Sequence, residues 1–249
     1  MKIIAIANQK AGVGKTTSAI NIGAGLRQLG KRVLLIDLDP QANLTSSLGI
    51  TARPASKTIY QVLKGEVPFE AIWVDRTGMM VLPSALDLSG ADLKLSGVLG
   101  REFLLRERIG RPWGFDYILI DCPPSLGLLT LNALTAAKEI YIPLQIDVST
   151  LQGVRKLLQM VEMVKKWLNK VLTVTGVIQT RFDPRKTLKG EVEEKIKTLI
   201  GNRVLRTEIR EDLSLAEASS VGKTIFEYQP DSQGGKDYSA LCNEILEMR

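Results

Sequence analysis

The sequence predicts an α/β fold, a mostly parallel β-sheet with helices on both faces, and three observations carry that expectation. Short apolar runs rich in Ile, Val and Leu alternate with helix-length patterns along all 249 residues. Such alternation gives parallel strands joined by crossover helices, with both sheet faces covered. The first apolar run leads directly into a loop with two glycines that opens a helical pattern. Two later runs each end on aspartate, at Asp37 and Asp121. Ligands of such sheets sit outside the carboxyl ends of the strands, where all of these features fall.

The elements follow in order. Residues 3–7 read as a strand and residues 19–29 as an apolar-periodic helix. After a turn at Gly30, residues 31–36 form the second strand. Residues 58–63 are a short helix, and residues 78–82 a strand ending at Pro83. Residues 86–109 read as mostly helical, with a break near residues 97–100. A buried strand at 117–120 is closed by Asp121-Cys122-Pro123-Pro124. Then come a helix at 128–137, a strand at 139–143, a long helix at 150–168 and a strand at 172–179. Residues 188–200 and 235–248 are the closing helices. No Pro/Gly/Ser-rich linker or composition break divides the chain, so a single domain over 1–249 is expected.

Composition narrows the function. There is no run of 18 apolar residues to span a membrane, and the apolar run between Lys2 and Asn8 is only five residues long, too short for a secretory signal. The two cysteines, Cys122 and Cys242, lack metal-ligand spacing and read as reduced, structural thiols. With no histidine, Ser-His-Asp, Cys-His and histidine-metal chemistry are excluded. A cytoplasmic protein without a membrane partner is expected.

The run Asn8-Gln9-Lys10-Ala11-Gly12-Val13-Gly14-Lys15-Thr16-Thr17 joins the first strand to the first helix. Strand, glycine-bearing loop, lysine, hydroxyl and helix together make a phosphate cradle. Backbone N–H groups freed by Gly12 and Gly14 can point at phosphate oxygens, and the helix N-terminus adds partial positive charge. Lys15 would neutralise the β- and γ-phosphates of a nucleotide, with the Thr16 hydroxyl as a magnesium ligand. The ordinary pattern has a further glycine where this chain has Gln9; it offers instead a second lysine, Lys10.

Two acidic motifs complete the constellation. In Leu35-Ile36-Asp37-Leu38-Asp39-Pro40-Gln41 a carboxylate can hold magnesium-bound water or orient the attacking water. In Tyr117-Ile118-Leu119-Ile120-Asp121 an apolar strand delivers one aspartate, the Walker B pattern. Asp–Pro turns also end strands for purely structural reasons. Three strand-end motifs in the right order favour chemistry.

The segment Lys10-Ala11-Gly12-Val13-Gly14-Lys15-Thr16-Thr17 resembles the deviant Walker A motif KGGxGKTT of the ParA/MinD superfamily of P-loop NTPases. "DLDPQAN" resembles the DxDPQGN segment of its ParA branch, "IDCPPSLGLLTLNAL" its Walker B and following helix, and residues 214–225 its late "RLSEAPSHGKPI". The resemblance covers essentially the whole chain and fits the short, Soj-like members, since the first strand begins at the N-terminus.

That resemblance implies a deviant-Walker-A P-loop ATPase using ATP and Mg2+. Residues Lys10, Ala11, Gly12, Val13, Gly14, Lys15, Thr16 and Thr17 would cradle the nucleotide. Lys10 would reach across a sandwich homodimer to the partner's phosphates. Asp39 would be the hydrolytic residue, with Asp37 supporting it, and Thr16, Asp39 and Asp121 would serve the magnesium. The family's adenine-side residues fall on Arg210 and Asp212, and Asp212 can accept a hydrogen bond from the adenine amino group. A ParB-like protein would stimulate hydrolysis, and the dimer would bind DNA without sequence preference, placing the protein on the nucleoid when ATP-bound.

The chain departs from the family pattern at Ala11, where a glycine is usual, and at Glu211 and Ser214, where family arginines stand. Charge distribution still favours DNA: Lys and Arg outnumber Asp and Glu 14 to 6 over residues 151–210. Arg185 matches a DNA-contacting arginine of the family, and Lys186, Lys189, Arg203 and Arg206 would extend the patch. Phosphate contacts need only charge and reach; a solvated basic face is the plainer reading of charge alone. Two other functions stay open: an ATP-dependent biosynthetic ligase of the same superfamily, and a MinD-like positioning ATPase that does not use DNA. The acidic C-terminal segment, with Leu241, Ile245 and Met248 as a core stripe, argues against a membrane-lying helix.

Overall fold

The computed structural model describes residues 1–51, 57–145, 150–182, 198–201 and 203–248. Its strands are β1 (Lys2–Ile6), β2 (Val33–Asp37), β3 (Val74–Arg76), β4 (Met79–Leu82), β5 (Tyr117–Asp121), β6 (Glu139–Leu144), β7 (Thr173–Phe182) and β8 (Ile209–Arg210). They form one sheet in the order β3-β4-β2-β5-β1-β6-β7-β8. Every pairing is parallel except that of β3 with β4. The α-helices, numbered in chain order, are α1 (Lys15–Gln28), α2 (Asn43–Ser47), α3 (Ile59–Lys64), α4 (Ala91–Lys94), α5 (Leu104–Ile109), α6 (Leu128–Ala136), α7 (Thr150–Trp167), α8 (Leu213–Ser220), α9 (Ile225–Tyr228) and α10 (Gln233–Glu247).

The central strands carry apolar residues on both faces because both are covered. Along β1, β2 and β5, the side chains of Ile3, Ala5, Leu34, Ile36, Ile118 and Ile120 enter one core. Their neighbours Ile4, Ile6, Val33, Leu35, Tyr117 and Leu119 enter the other. The period of two is that of an extended chain. The first core is closed by α3, α5, α6 and α7, through residues such as Ile59, Leu105, Ala133 and Leu157. The second is closed by α1 and α10, through Ile20, Ile22, Tyr238, Leu241 and Ile245. Thus Leu241 and Ile245 serve the core, with Met248 packed beside them. Truncating Ile120, fully buried at 0 % exposure, leaves a cavity at the centre of the sheet. Ile120→Ala is expected to lower the unfolding free energy by about 2–5 kcal/mol in a denaturant titration.

Residues 86–109 are mostly helical with a break, as the sequence suggests: the 3-10 turn Leu86–Gly90 runs into α4 and the 3-10 turn Arg101–Phe103 into α5, on either side of residues 95–100. Gly100 adopts a left-handed conformation (φ 69°), which an α-helix cannot continue through. The edge strand β3, with its antiparallel turn into β4, is an addition, three residues being too short to show a period. Helix α1 begins four residues earlier than its apolar pattern, because its first turn is the polar end of the glycine loop. Most of the predicted helix at 188–200 lies outside the described residues. Among the described residues no helix is long and apolar enough to cross a membrane.

Candidate active site

Register brings the three motifs together. Ile6, the last residue of β1, pairs with Asp121, and Asp37 pairs with Asp121 from the other side. The glycine loop leaves β1 at the same level. Gly12 and Gly14 have φ of 72° and 83°, so the loop uses the left-handed region where glycine is favoured. Gly14 is the N-cap of α1, and no side chain caps that end. The first-turn N–H groups are therefore directed toward the loop, as anion binding requires. Ala11 is exposed and not among the positive-φ residues, so its methyl group fits the loop of the single chain without strain.

Among the described residues, the side chains of Asn8, Thr180 and Lys15 hold the loop. Asn8 is buried; its Nδ2 donates to the Pro143 carbonyl (2.7 Å), and its Oδ1 accepts from Lys10 N (3.0 Å). The Thr180 hydroxyl donates to the Val13 carbonyl (2.9 Å) from β7. Lys15 Nζ donates to the Lys10 carbonyl (3.1 Å), bridging the loop's two lysines. Lys15 is buried, and desolvation lowers its pKa against the raising influence of Asp121, Cys122 and Asp39. Lys10 lies half-buried.

The acids sit beside it. Thr16 Oγ1 donates to Asp121 Oδ2 (2.7 Å), while the buried Oδ1 of Asp121 has no hydrogen-bond partner among the described residues. Burial first, and the Asp37 carboxylate second, raise the Asp121 carboxyl well above the usual range. An orphaned carboxylate oxygen beside a threonine hydroxyl, in a site crowded with acid, fits a divalent cation. No three acidic, His or Cys side chains enclose a metal among the described residues. Magnesium takes one or two protein oxygens and fills its shell with phosphate and water, and Thr16 and Asp121 offer such oxygens. Asp37 is pushed up to about 6 by burial, although it accepts bonds from Thr45 and the Asp39 N–H. Asp39, also buried, accepts from Gln41 N (2.9 Å) on one carboxylate oxygen.

The resemblance has a glycine where this chain has Ala42, and the structure gives that glycine a reason. Ala42 caps α2 with φ 51° and ψ 37°, a left-handed conformation that strains an L-residue by about 1–2 kcal/mol. Glycine relieves that strain but loses more entropy on folding. Ala42→Gly is therefore expected to raise the unfolding free energy by roughly 0.5–1 kcal/mol, measured by chemical denaturation.

A cleft of about 770 Å³ opens over the loop, lined on one side by Gly12, Lys15 and Thr16 and on the other by Arg210, Asp212 and Leu215. Arg210 and Asp212 line the cleft, but both already have partners. The Arg210 guanidinium and N–H bond to Asp237. Asp212 caps α8 through Ser214 N (2.9 Å) and accepts from Gly234 N (2.7 Å). Arg181, which the sequence did not single out, also lines the cleft from a bulge in β7 where its φ is 50°. Of the basic residues assigned to DNA, Arg206 is tied to Glu244 and Glu247, and Arg203 to the Ile200 carbonyl. Arg185, Lys186 and Lys189 lie outside the described residues.

A parallel sheet with a glycine loop, buried lysine and paired strand-end acids defines a P-loop nucleoside triphosphatase. Comparison with known proteins narrows the class. The family described as "AAA domain" matches residues 1–174. The chain is 42% identical to the sporulation initiation inhibitor protein Soj of Bacillus subtilis, over 98% of both chains. It is 44% identical to the chromosome-partitioning ATPase Soj of Thermus thermophilus, covering 98% of this chain and 94% of that one. Among solved structures, the cobyrinic acid a,c-diamide synthase of Mycobacterium smegmatis with bound ADP and magnesium superimposes with a TM-score of 0.87. It is 35% identical, over 99% of this chain and 94% of that one. The chain belongs to the Soj/ParA family of partitioning ATPases.

Proposed function

We propose that this protein, acting as one domain over residues 1–249, is an ATP-driven partitioning switch. The observation that carries the reading is the loop itself: a phosphate cradle with a second lysine, Lys10, at its outer turn, five residues before the buried Lys15. One chain's cradle needs only Lys15. Another lysine, on a loop whose Ala11 and Gly12 face solvent, suits a second copy's nucleotide. On this reading ATP is held between two facing copies, each lending Lys10 to the other's phosphates.

The residues divide the work. The loop N–H groups and the N-terminus of α1 bind phosphate oxygens, and Lys15 offsets their charge. Thr16, Asp39 and Asp121 would hold magnesium, and the bound ion would neutralise charge developing on the phosphates. Asp39 orients the attacking water. Arg210 and Asp212 flank the base. Loss of the γ-phosphate removes what Lys10 grips, and the dimer dissolves. The ATP-bound dimer binds DNA without sequence preference through Arg185, Lys186, Lys189, Arg203 and Arg206, and a ParB-like partner accelerates hydrolysis. The protein then cycles between cytoplasm and nucleoid, moving a chromosome, plasmid or other cargo.

A second reading is favoured by the likeness to the diamide synthase. Such an enzyme would couple ATP cleavage to an acid or amide substrate and ignore DNA. The two Soj relatives are more similar to this chain, which supports the switch. Phosphate release by the purified protein separates the readings. Turnover with ATP and magnesium alone, raised by a ParB-like protein and duplex DNA, is expected. Turnover that appears only when a carboxylic acid and an amide-nitrogen donor are supplied would replace the switch by the synthase.

A further inference from the structure

We propose that Ser84 and Thr45 are positioning residues for hydrolysis, acting through the Asp39 segment. The proposal rests on the reading of Asp39 as the residue that places the attacking water.

The two hydroxyls close a ring of hydrogen bonds around that segment. Ser84 Oγ donates to the Asp39 carbonyl (2.8 Å), and Ser84 N donates to Thr45 Oγ1 (3.0 Å). Thr45 Oγ1 in turn donates to Asp37 Oδ2 (2.7 Å), which also accepts from Thr45 N (2.9 Å). Asp37 Oδ1 accepts from Asp39 N (3.1 Å), completing the circuit. Ser84 and Asp37 are 0 % exposed, Thr45 2 % and Asp39 6 %. Both the N–H and the C=O of Asp39 are thus fixed by groups inside the ring, out of water.

Position is what such a ring controls. Phosphoryl transfer leaves the protein little covalent work, so its acceleration comes from placement and charge. A misplacement of about 1 Å from a change outside the chemistry can lower a rate by about 10²-fold. Without the Ser84 hydroxyl, the Asp39 carbonyl keeps only the Ala42 N–H (2.9 Å), a donor from within its own turn, and loses its tie to the neighbouring strand end.

The test is a double-mutant cycle on the full chain with ATP and magnesium, read by single-turnover hydrolysis, with kcat and KM measured separately. Ser84→Ala is expected to lower kcat about 10–100-fold, with KM for ATP and ATP-dependent dimerisation within twofold of the parent. Thr45→Val should do the same, and Thr45→Ser, which keeps the hydroxyl, should restore most of the rate. Placed on Asp39→Ala, Ser84→Ala should lower the residual rate no further, because the group it positions is gone. An equal loss with and without Asp39, a rise in KM at constant kcat, or an unchanged kcat in Ser84→Ala would each overturn the proposal. Near-normal turnover in Asp39→Ala alone would remove the reading beneath it, and that outcome is distinguishable from the others.

Discussion

Asp39→Ala is expected to lower ATP turnover about 10²–10³-fold, the loss typical of removing one group that acts mainly in the transition state. ATP binding should survive. The loop, Lys15 and the Thr16–Asp121 pair keep their own contacts, none of which involves the Asp39 carboxylate. That side chain's recorded bond, from Gln41 N, lies within its own turn. The variant should therefore accumulate in the ATP-bound state, visible as retained nucleotide and a lasting dimer in light scattering. Unchanged steady-state phosphate release would remove Asp39 from the mechanism.

The second large effect is expected from Lys10→Ala. Its side chain is assigned to the partner copy's phosphates, so truncation should abolish ATP-dependent dimerisation and lower turnover by about 10²-fold or more. A single chain should still bind ATP. The bond from Lys15 Nζ goes to the carbonyl of Lys10, and the bond to Asn8 uses its N–H, so both survive loss of the side chain. This separates the two lysines: Lys15→Ala should cost nucleotide binding itself, Lys10→Ala the dimer. Sedimentation velocity with ATP, with nucleotide binding measured alongside, reads both. A Lys10→Ala protein that still dimerises and turns over at the parent rate would contradict the sandwich.

The parts of the site legible in the sequence were those written as contiguous strings at strand ends. The glycine loop, Asp37 with Asp39, and Asp121 were found because a five-residue buried strand followed by a charged turn is a local pattern. The groups that hold those strings were not legible. Thr180 reaches Val13 across 167 residues of chain, and Ser84 reaches Asp39 across 45. A threonine or serine after an apolar run shows nothing of the carbonyl it will meet. Asp212 shows a different limit: its alignment pointed to the base, while its side chain already caps α8. Over residues 86–109 the glycines showed where the helical stretch breaks, while apolar spacing did not show that residues 86–90 and 101–103 would be 3-10 rather than α-helix.

The most direct test of the switch is binding to non-sequence-specific duplex DNA by the Asp39→Ala protein, with ATP, ADP or no nucleotide, across a salt series. Tight binding with ATP alone is expected, its logarithm falling with the logarithm of salt at a slope of about −0.9 per phosphate contacted. Arg185→Ala should make that slope shallower by about one contact per copy. An ATP-bound dimer that leaves DNA untouched at every salt concentration would contradict the account, and would place the loss at Glu211 and Ser214, where this chain lacks the family's arginines.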